Sequence, residues 1–163
     1  MDLYFLRHGL AGQYGDPPYK DDALRPLTTE GVDRLRLAGR AMKKLKLQFD
    51  LILSSPYLRA VQTAQIIAKT YKIKKIELTP HLLPPATGRQ LLSTLKKDFP
   101  RAKKILLVGH EPHMTALMSE FLKSPQPLAI DFKKGALSLL MMEKGQAYFQ
   151  WLLTPHQLCC LAS

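Results

Sequence analysis

The sequence predicts an α/β fold in which helices pack on both faces of a mostly parallel sheet. Short apolar strands alternate with amphipathic helices along the chain, which is the pattern of a three-layer α/β/α sandwich. The last two predicted strands follow each other directly, so they predict an antiparallel hairpin. Because the chain of 163 residues has no internal repeat or long linker, we expect residues 1–163 to form one domain.

Four elements are predicted in the first third of the chain. Asp2 to His8 is a short apolar run and predicts a buried strand. Gly9 to Pro26 is rich in glycine, proline and aspartate and predicts an irregular loop. Thr28 precedes apolar residues at helical spacing and is the predicted N-cap of a helix. Asp50 to Ser54 predicts the second strand.

The rest of the chain continues this alternation. Ser55 is the predicted cap of a second helix, with Pro56 at its first position and its end near Tyr71. The most apolar strand, Ile105 to Gly109, is expected at the centre of the sheet. The other predicted elements are a strand over Lys75–Thr79, helices over Gln90–Phe99 and Pro112–Lys123, and the hairpin of Ala136–Glu143 and Gln146–Leu153.

Composition restricts the class of protein. The apolar fraction of 46% is normal for a globular protein, and no apolar run reaches the roughly 20 residues of a membrane helix. The two cysteines, Cys159 and Cys160, are adjacent, which would strain a disulfide, so we expect reduced thiols. The N-terminus lacks the basic start of a signal peptide. These features predict a cytoplasmic protein with no membrane partner.

The formal net charge is +11, which is compatible with nucleic acid, an anionic membrane or an anionic substrate as the ligand. The lysines form small groups near the predicted ends of helices and strands, where they are favourable against helix dipoles. The sequence has no nucleic-acid motif and no basic stripe with interleaved aromatic residues. We therefore expect no nucleic-acid partner, while the charge would help to attract an anionic substrate.

Polar residues gather just after the predicted strands. Arg7 and His8 end the first strand, Arg59 lies one helical turn beyond the second, and His110 and Glu111 follow the fourth. Sites in open α/β sheets lie outside the carboxyl ends of the strands. Two arginines and two histidines are therefore predicted to converge at one edge of the sheet.

This set of side chains suits a tetrahedral dianion. Each guanidinium, of Arg7 and Arg59, can donate to two phosphate oxygens. His8 beside two guanidiniums is expected to remain neutral and to act as a nucleophile toward phosphorus. Gly9 lets the backbone approach the phosphate, and His110 can contact the phosphoryl oxygens. The prediction is a two-step hydrolysis through a phosphohistidine enzyme, which needs no metal and no cofactor.

Three sequence blocks resemble a known family. They are Leu6-Arg7-His8-Gly9, the segment Ser54 to Ala64, and Val108-Gly109-His110. Their order and spacing are similar to those of the histidine phosphatase superfamily, which includes the phosphoglycerate mutases. The resemblance implies a phosphoglycerate mutase-like fold, with His8 as the phosphorylated nucleophile and with Arg7, Arg59 and His110 in the phosphate pocket.

Within that superfamily the chain looks most similar to the short SixA-type phosphohistidine phosphatases. The resemblance rests on the small size and on the segments Leu24–Thr28, Gly109–Pro112 and Trp151–Pro155. It implies a phosphohistidine-bearing protein as substrate and a role in signal transduction. Arg25 is a further candidate substrate contact, with a loop residue braced by Pro26 as the alternative.

One absence bears on the substrate. Larger superfamily members place an acidic residue after the third strand to protonate the leaving oxygen, yet no Asp or Glu lies between Glu77 and Asp98. An alkoxide leaving group needs such an acid more than a phosphorylated imidazole does. Glu111 is a candidate substitute acid or substrate contact, although a carboxylate at a helix start is also stabilising. His81, His113 and His156 are not expected to function.

The sequence is compatible with three functions. The first is hydrolysis of phosphohistidine on a histidine phosphotransfer domain or a phosphocarrier protein. The second is hydrolysis of small phosphate esters by the same fold, and the third is a phosphate-binding regulatory module without turnover. The protein is expected to be a monomer. Whether Tyr14 and Tyr19 in the first loop close over a substrate stays open.

Overall fold

The computed structural model describes residues 1–13 and 20–163. The described strands are β1 (Asp2–Arg7), β2 (Leu51–Ser54), β3 (Glu77–Leu78), β4 (Lys104–Gly109), β5 (Leu137–Glu143) and β6 (Gln146–Leu153). The described helices are α1 (Thr29–Lys44), α2 (Leu58–Tyr71), α3 (Gly88–Asp98), α4 (His113–Phe121) and α5 (Pro155–Ala162). Single 3-10 turns form at Asp22–Leu24 and Pro80–Leu82. Tyr14 and Tyr19, and with them the question of loop closure, lie outside the described residues.

The strands of the described chain form one mixed sheet in the order β3-β2-β4-β1-β5-β6. The first four strands in this order run parallel, while β5 is antiparallel to both β1 and β6. β4 lies between β2 and β1, and β5 and β6 form the C-terminal hairpin. The predicted sheet architecture, its apolar central strand and its final hairpin are thus confirmed.

Alternate residues of each central strand face opposite cores. Leu3 and Phe5 of β1 are buried with the apolar faces of α3 and α4. Tyr4 and Leu6 of the same strand are buried against α1, α2 and α5. Because successive side chains of a strand point to opposite faces, one strand serves both cores. The result is the predicted three-layer α/β/α sandwich.

Three local predictions need correction. Ser55 is not the N-cap of a helix that begins at Pro56, because α2 begins at Leu58 with Tyr57 as its N-cap. The Ser55 hydroxyl accepts from the Tyr57 N–H at 3.3 Å and also contacts His110 Nε2 at 2.7 Å. The third strand contains only Glu77 and Leu78, at the edge of the sheet. The helix α5 was not expected, although Thr154 and Gln157 form a capping box at its start.

The predicted N-cap of α1 is confirmed. Thr28 Oγ1 accepts a hydrogen bond from the Gly31 N–H at 3.0 Å, so Thr28 is the N-cap of α1. Cys159 and Cys160 lie on α5 as free thiols. No helix in the described parts of the chain is long and apolar enough to cross a membrane.

Strand register brings three chain segments to one edge of the sheet. Arg7 at the end of β1 is paired with Gly109 at the end of β4, and Ser54 of β2 is paired with Val108. The His8 N–H continues this ladder by donating to the Gly109 carbonyl at 3.0 Å. The residues that directly follow β1, β2 and β4 therefore lie side by side.

Candidate active site

His8 lies at the centre of this edge, with only 4% of the residue exposed. Its Nδ1 is 2.7 Å from the Gly9 carbonyl oxygen, which can only accept, so Nδ1 carries the proton. Its Nε2 lies 3.2 Å from Arg59 Nε, which can only donate. Two independent contacts thus specify a neutral imidazole whose lone pair is on Nε2.

The pKa of His8 is lowered to about 3. Burial is the main cause, and the neighbouring His110, Arg59 and Arg7 lower it further. The sequence predicted a neutral His8 from the two guanidiniums alone. The direction is confirmed, but desolvation of a buried imidazole contributes more than the charges do.

Arg59 is held by contacts on both edges of its guanidinium. It lies in the first turn of α2 and is 5% exposed. Its Nε donates to His8, while Nη1 and Nη2 donate to the Asp22 carbonyl and carboxylate at 2.7 and 2.9 Å. The face of the guanidinium lies 5.2 Å from the centre of the Tyr57 ring. The side chain is therefore fixed next to the nucleophilic nitrogen.

Arg7 and His110 complete the cluster. Arg7 Nη1 donates to the Phe132 carbonyl at 2.7 Å, and burial lowers the Arg7 pKa. His110, 7% exposed, has its Nε2 2.7 Å from Ser55 Oγ and its ring centre 5.0 Å from that of His8. Within residues 1–13 and 20–163, the buried Arg7 Nε and His110 Nδ1 have no hydrogen-bond partner. Both groups keep hydrogen-bonding capacity.

Burial also lowers the pKa of His110 to about 3, with the charges of Arg59 and Arg7 adding to the effect. Two adjacent histidines are thus neutral at physiological pH. A neutral imidazole can be a nucleophile or can donate one hydrogen bond to an oxyanion. The four side chains predicted to converge do lie together.

Close packing gives a structural reason for glycine at position 9 beside the predicted approach of the backbone to a phosphate, which stays a prediction. The Gly9 N–H donates to Thr63 Oγ1 at 3.2 Å. A Cβ at this position would lie 2.6 Å from Leu35 Cδ1 and 3.3 Å from Leu27 Cδ2. Glycine is required here by close packing under the nucleophile, and its carbonyl orients His8.

Replacement of Gly9 by alanine is expected to destabilise the protein by about 1–3 kcal/mol, as overpacking of a dense core typically does. Urea unfolding at pH 7 measures the loss. The same replacement in a Leu35→Ala background should cost less, because the clashing methyl group is absent there. Equal losses in both backgrounds would contradict the packing explanation.

Two weaker candidates have structural partners. Arg25 donates through Nε and Nη2 to Asp22 Oδ1 at 3.0 and 2.7 Å and through Nη1 to the Gly12 carbonyl at 2.6 Å. Glu111 accepts from the Thr115 N–H at 2.9 Å and from Thr115 Oγ1 at 2.6 Å. Arg25 thus braces the first loop, and Glu111 stabilises the start of α4.

The sequence did not single out Asp22 or Lys134. Burial alone would raise the Asp22 pKa, but hydrogen bonds from Arg25 and Arg59 outweigh it and lower that pKa. Burial lowers the Lys134 pKa, and Arg7, Arg25 and Arg59 lower it further. The next residue, Gly135, donates its N–H to the Arg7 and His8 carbonyls at 3.1 Å, so the backbone beside Lys134 lies at the cluster. Lys134 precedes β5, whose start lies at the carboxyl end of the parallel β1. That topological relation is the signal that could have found it.

No three His, Cys, Asp or Glu side chains in the described segments are arranged to hold a metal ion. The cluster instead combines two neutral imidazoles with the cations Arg7 and Arg59, and Lys134 lies nearby. Such an arrangement can bind a phosphoryl group and can offer a nitrogen nucleophile to phosphorus.

Fold and site together define a class: an α/β sandwich of phosphoglycerate mutase-like architecture with a histidine and arginine cluster at the carboxyl ends of its parallel strands. The sequence profile described as histidine phosphatase superfamily (branch 1) matches residues 3–83. The chain belongs to the histidine phosphatase superfamily. It is thus a phosphatase by family, and the predicted resemblance is confirmed.

Two relatives cover most of the chain. An uncharacterised protein of Picosynechococcus sp. is 40% identical over 121 residues, which are 70% of this chain and 68% of the relative. The phosphohistidine phosphatase SixA of Escherichia coli K12 is 28% identical over 160 residues, covering 95% of this chain and 94% of the relative. The chain thus resembles a SixA protein over nearly its full length.

Solved structures share the fold. A protein histidine phosphatase SixA complexed with tungstate has a TM-score of 0.84 and 27% identity, covering 97% of this chain and 99% of the other. A phosphoserine phosphatase of Entamoeba histolytica in complex with 3-phosphoglyceric acid has a TM-score of 0.74 and 19% identity, covering 96% and 98%. The fold is therefore common to phosphatases named for different substrates.

Proposed function

We propose that this protein is a phosphohistidine phosphatase in which His8 Nε2 attacks the phosphorus of a protein-bound phosphohistidine. The observation that carries the proposal is the state of His8. It is neutral, its proton is on Nδ1, and its Nε2 lone pair faces the guanidinium of Arg59. A nucleophile and a cation that can bind the phosphoryl oxygens are therefore adjacent.

The reaction has two displacements at phosphorus. In the first, the His8 Nε2 lone pair forms a P–N bond while the bond to the leaving group breaks and its electron pair departs with that group. In the second, water attacks the phosphohistidine enzyme, and the P–N electron pair returns to Nε2 as inorganic phosphate forms. Arg7, Arg59 and His110 hold the phosphoryl oxygens, whose charge they stabilise in each step.

The proton donors around the site support an imidazole leaving group. Both Glu111 oxygens are engaged with Thr115 at the start of α4. Hydrogen bonds from two guanidiniums lower the Asp22 pKa, which makes Asp22 a poor proton donor at neutral pH. An alkoxide needs protonation as it departs, whereas the labile P–N bond of phosphohistidine needs less help. The name of the Escherichia coli relative agrees with this substrate class.

The proposed partner is a phosphohistidine-bearing protein, such as a histidine phosphotransfer domain or a phosphocarrier, met in the cytoplasm by a monomeric enzyme. Lys134 adds a positive charge beside the arginines, and this favours anionic groups around the phosphohistidine. The alternative is a phosphomonoesterase acting on small esters. Its support is the fold shared with a phosphoserine phosphatase, a likeness that extends to the architecture only.

Three substrates with different leaving groups test the proposal. We expect kcat/KM to be about 100-fold higher for a phosphohistidine protein than for phosphoserine, whose alkoxide leaves least readily, since a positioned general acid typically contributes 10²–10⁴-fold and the described residues around His8 offer none. p-Nitrophenyl phosphate, whose phenolate leaves readily, should lie between the two. Equal rates for phosphoserine and phosphohistidine would favour the small-ester phosphatase instead. No turnover of any of the three, with phosphate binding retained, would favour a regulatory module.

A further inference from the structure

Asp22 makes the contacts that fix the orientation of Arg59. The guanidinium is planar and carries five N–H groups in fixed directions. Its Nη1 donates to the Asp22 carbonyl at 2.7 Å and its Nη2 to Asp22 Oδ2 at 2.9 Å. The opposite end of the group, Nε, donates to His8 Nε2. One residue therefore holds the outer edge of the guanidinium while the inner edge faces the nucleophile.

Arg25 holds Asp22 in turn. Its Nε and Nη2 both donate to Asp22 Oδ1, and its Nη1 donates to the Gly12 carbonyl. The side chains of Arg59, Arg25 and Asp22 are 6%, 13% and 34% exposed. The partly enclosed Asp22 carboxylate accepts from two guanidiniums, and these contacts hold it in a defined orientation. Charge-assisted hydrogen bonds are stronger than neutral ones, and the planar guanidinium of arginine restricts their geometry. Hydrogen bonds thus run without a break from Arg25 through Asp22 and Arg59 to His8.

We propose that Asp22 is a positioning residue that aims the Nε edge of Arg59 at His8 and at the phosphoryl group His8 attacks. This rests on the proposed function for the assignment of Arg59 to the phosphoryl oxygens. Two Arg59 N–H groups remain beyond the three that these contacts use, so Asp22 and a phosphoryl group can be bound at once. The first residue of the 3-10 turn Asp22–Leu24 thereby positions a guanidinium beside the nucleophile.

The proposal predicts an effect opposite in sign to that of charge alone. If Asp22 acted only as a nearby negative charge, its removal would tighten the binding of inorganic phosphate. If it positions Arg59, its removal weakens phosphate binding and lowers kcat, because Arg59 is then free to leave the reacting geometry. A small misplacement of such a group is expected to lower kcat by about tenfold to 100-fold.

The variants are Asp22→Ala, Asp22→Asn and the matched control Asp21→Asn. Asp21→Asn makes the same loss of charge one residue away, and the Asp21 side chain accepts from the Ala23 N–H, a contact that asparagine can also make. Calorimetric titration with inorganic phosphate and steady-state kinetics with p-nitrophenyl phosphate are the measurements. We expect weaker phosphate binding and lower kcat for Asp22→Ala, intermediate values for Asp22→Asn, and values within twofold of wild type for Asp21→Asn.

A double-mutant cycle with Arg59→Ala separates positioning from loop folding. Because Asp22 acts through Arg59, Asp22→Ala should not weaken phosphate binding further in the Arg59→Ala background. Three results would overturn the proposal: tighter phosphate binding by Asp22→Ala, unchanged binding and kcat, or an equal loss in both backgrounds. Titration with phosphate needs no turnover, so the cycle can be read even if the protein fails to hydrolyse phosphohistidine.

Discussion

Replacement of His8 by alanine is expected to lower the rate of hydrolysis by about 10⁴-fold or more, as removal of a covalent nucleophile does. The reason is specific to His8. Its Nδ1–H is engaged with the Gly9 carbonyl, which leaves Nε2 as the nitrogen that can bond to phosphorus. His110, the neighbouring imidazole, has its Nε2 bound to Ser55 and is not arranged in the same way. It should not replace His8.

Turnover is measured together with the mass of the protein, which is quenched in denaturant at high pH because acid cleaves a P–N bond. Wild type should gain the mass of one phosphoryl group during turnover, and tandem fragmentation should place it on His8. The matched control is His156→Ala, an exposed histidine on α5 that should behave as wild type. Full activity of His8→Ala, or a phosphoryl group found on His110 in wild type, would contradict the assignment of the nucleophile.

Residues that follow strands were found from the sequence because simple rules locate the ends of parallel strands. A run of apolar residues predicts where β1 and β4 end, and parallel strands place their carboxyl ends at one edge. His8 and His110 are therefore expected at the same edge of the sheet, and the observed order β2-β4-β1 makes them neighbours. Arg59 lies one turn into the helix after β2, so its position also follows from the element boundaries. For these residues local sequence and topology give the same result.

Residues held by loop conformation could not be found in this way. Asp22 reaches Arg59 only because the chain between β1 and α1 forms a 3-10 turn against the start of α2. The sequence predicts Ser55 as a helix cap because serine has that preference, and its hydroxyl does accept from the Tyr57 N–H, but its contact with His110 could not be predicted. In both cases the side chain is held by a contact between segments that are distant in the sequence. Neither residue spacing nor helix propensity predicts such a contact.

The sequence also did not show how strongly His8 is desolvated. Two guanidiniums beside His8 give the right direction for its pKa but not the main cause, which is burial. Burial depends on how α2 and the first loop cover the strand ends. A cluster of titratable groups that is kept neutral by burial must also affect folding, because each group is ionised more easily in the unfolded chain.

Stability is expected to fall as the pH is lowered from 7 to 5, by roughly 2 kcal/mol for each of His8 and His110. The unfolded chain protonates these histidines below about pH 6.5, whereas the folded protein does so only near pH 3. Protons are thus taken up on unfolding between these values, and the unfolded state is favoured as the pH falls. Above pH 6.5 neither histidine contributes, because both states are neutral there.

Urea unfolding at pH 7 and pH 5 measures this effect, with His8→Asn, His110→Asn and their double variant as the comparison. Each replacement should remove its share of the pH dependence, and the double variant should lose most of it. The Asp22 and Asp50 pKa values are lowered in the folded protein, so the stability that these carboxylates contribute is nearly constant between pH 7 and pH 5 and is lost only as the pH falls further. The exposed His156 serves as the control, and His156→Asn should keep the full wild-type slope. If His8→Asn keeps it too, the pKa of His8 in the folded protein is close to its unfolded value, and burial does not hold the imidazole neutral at pH 5.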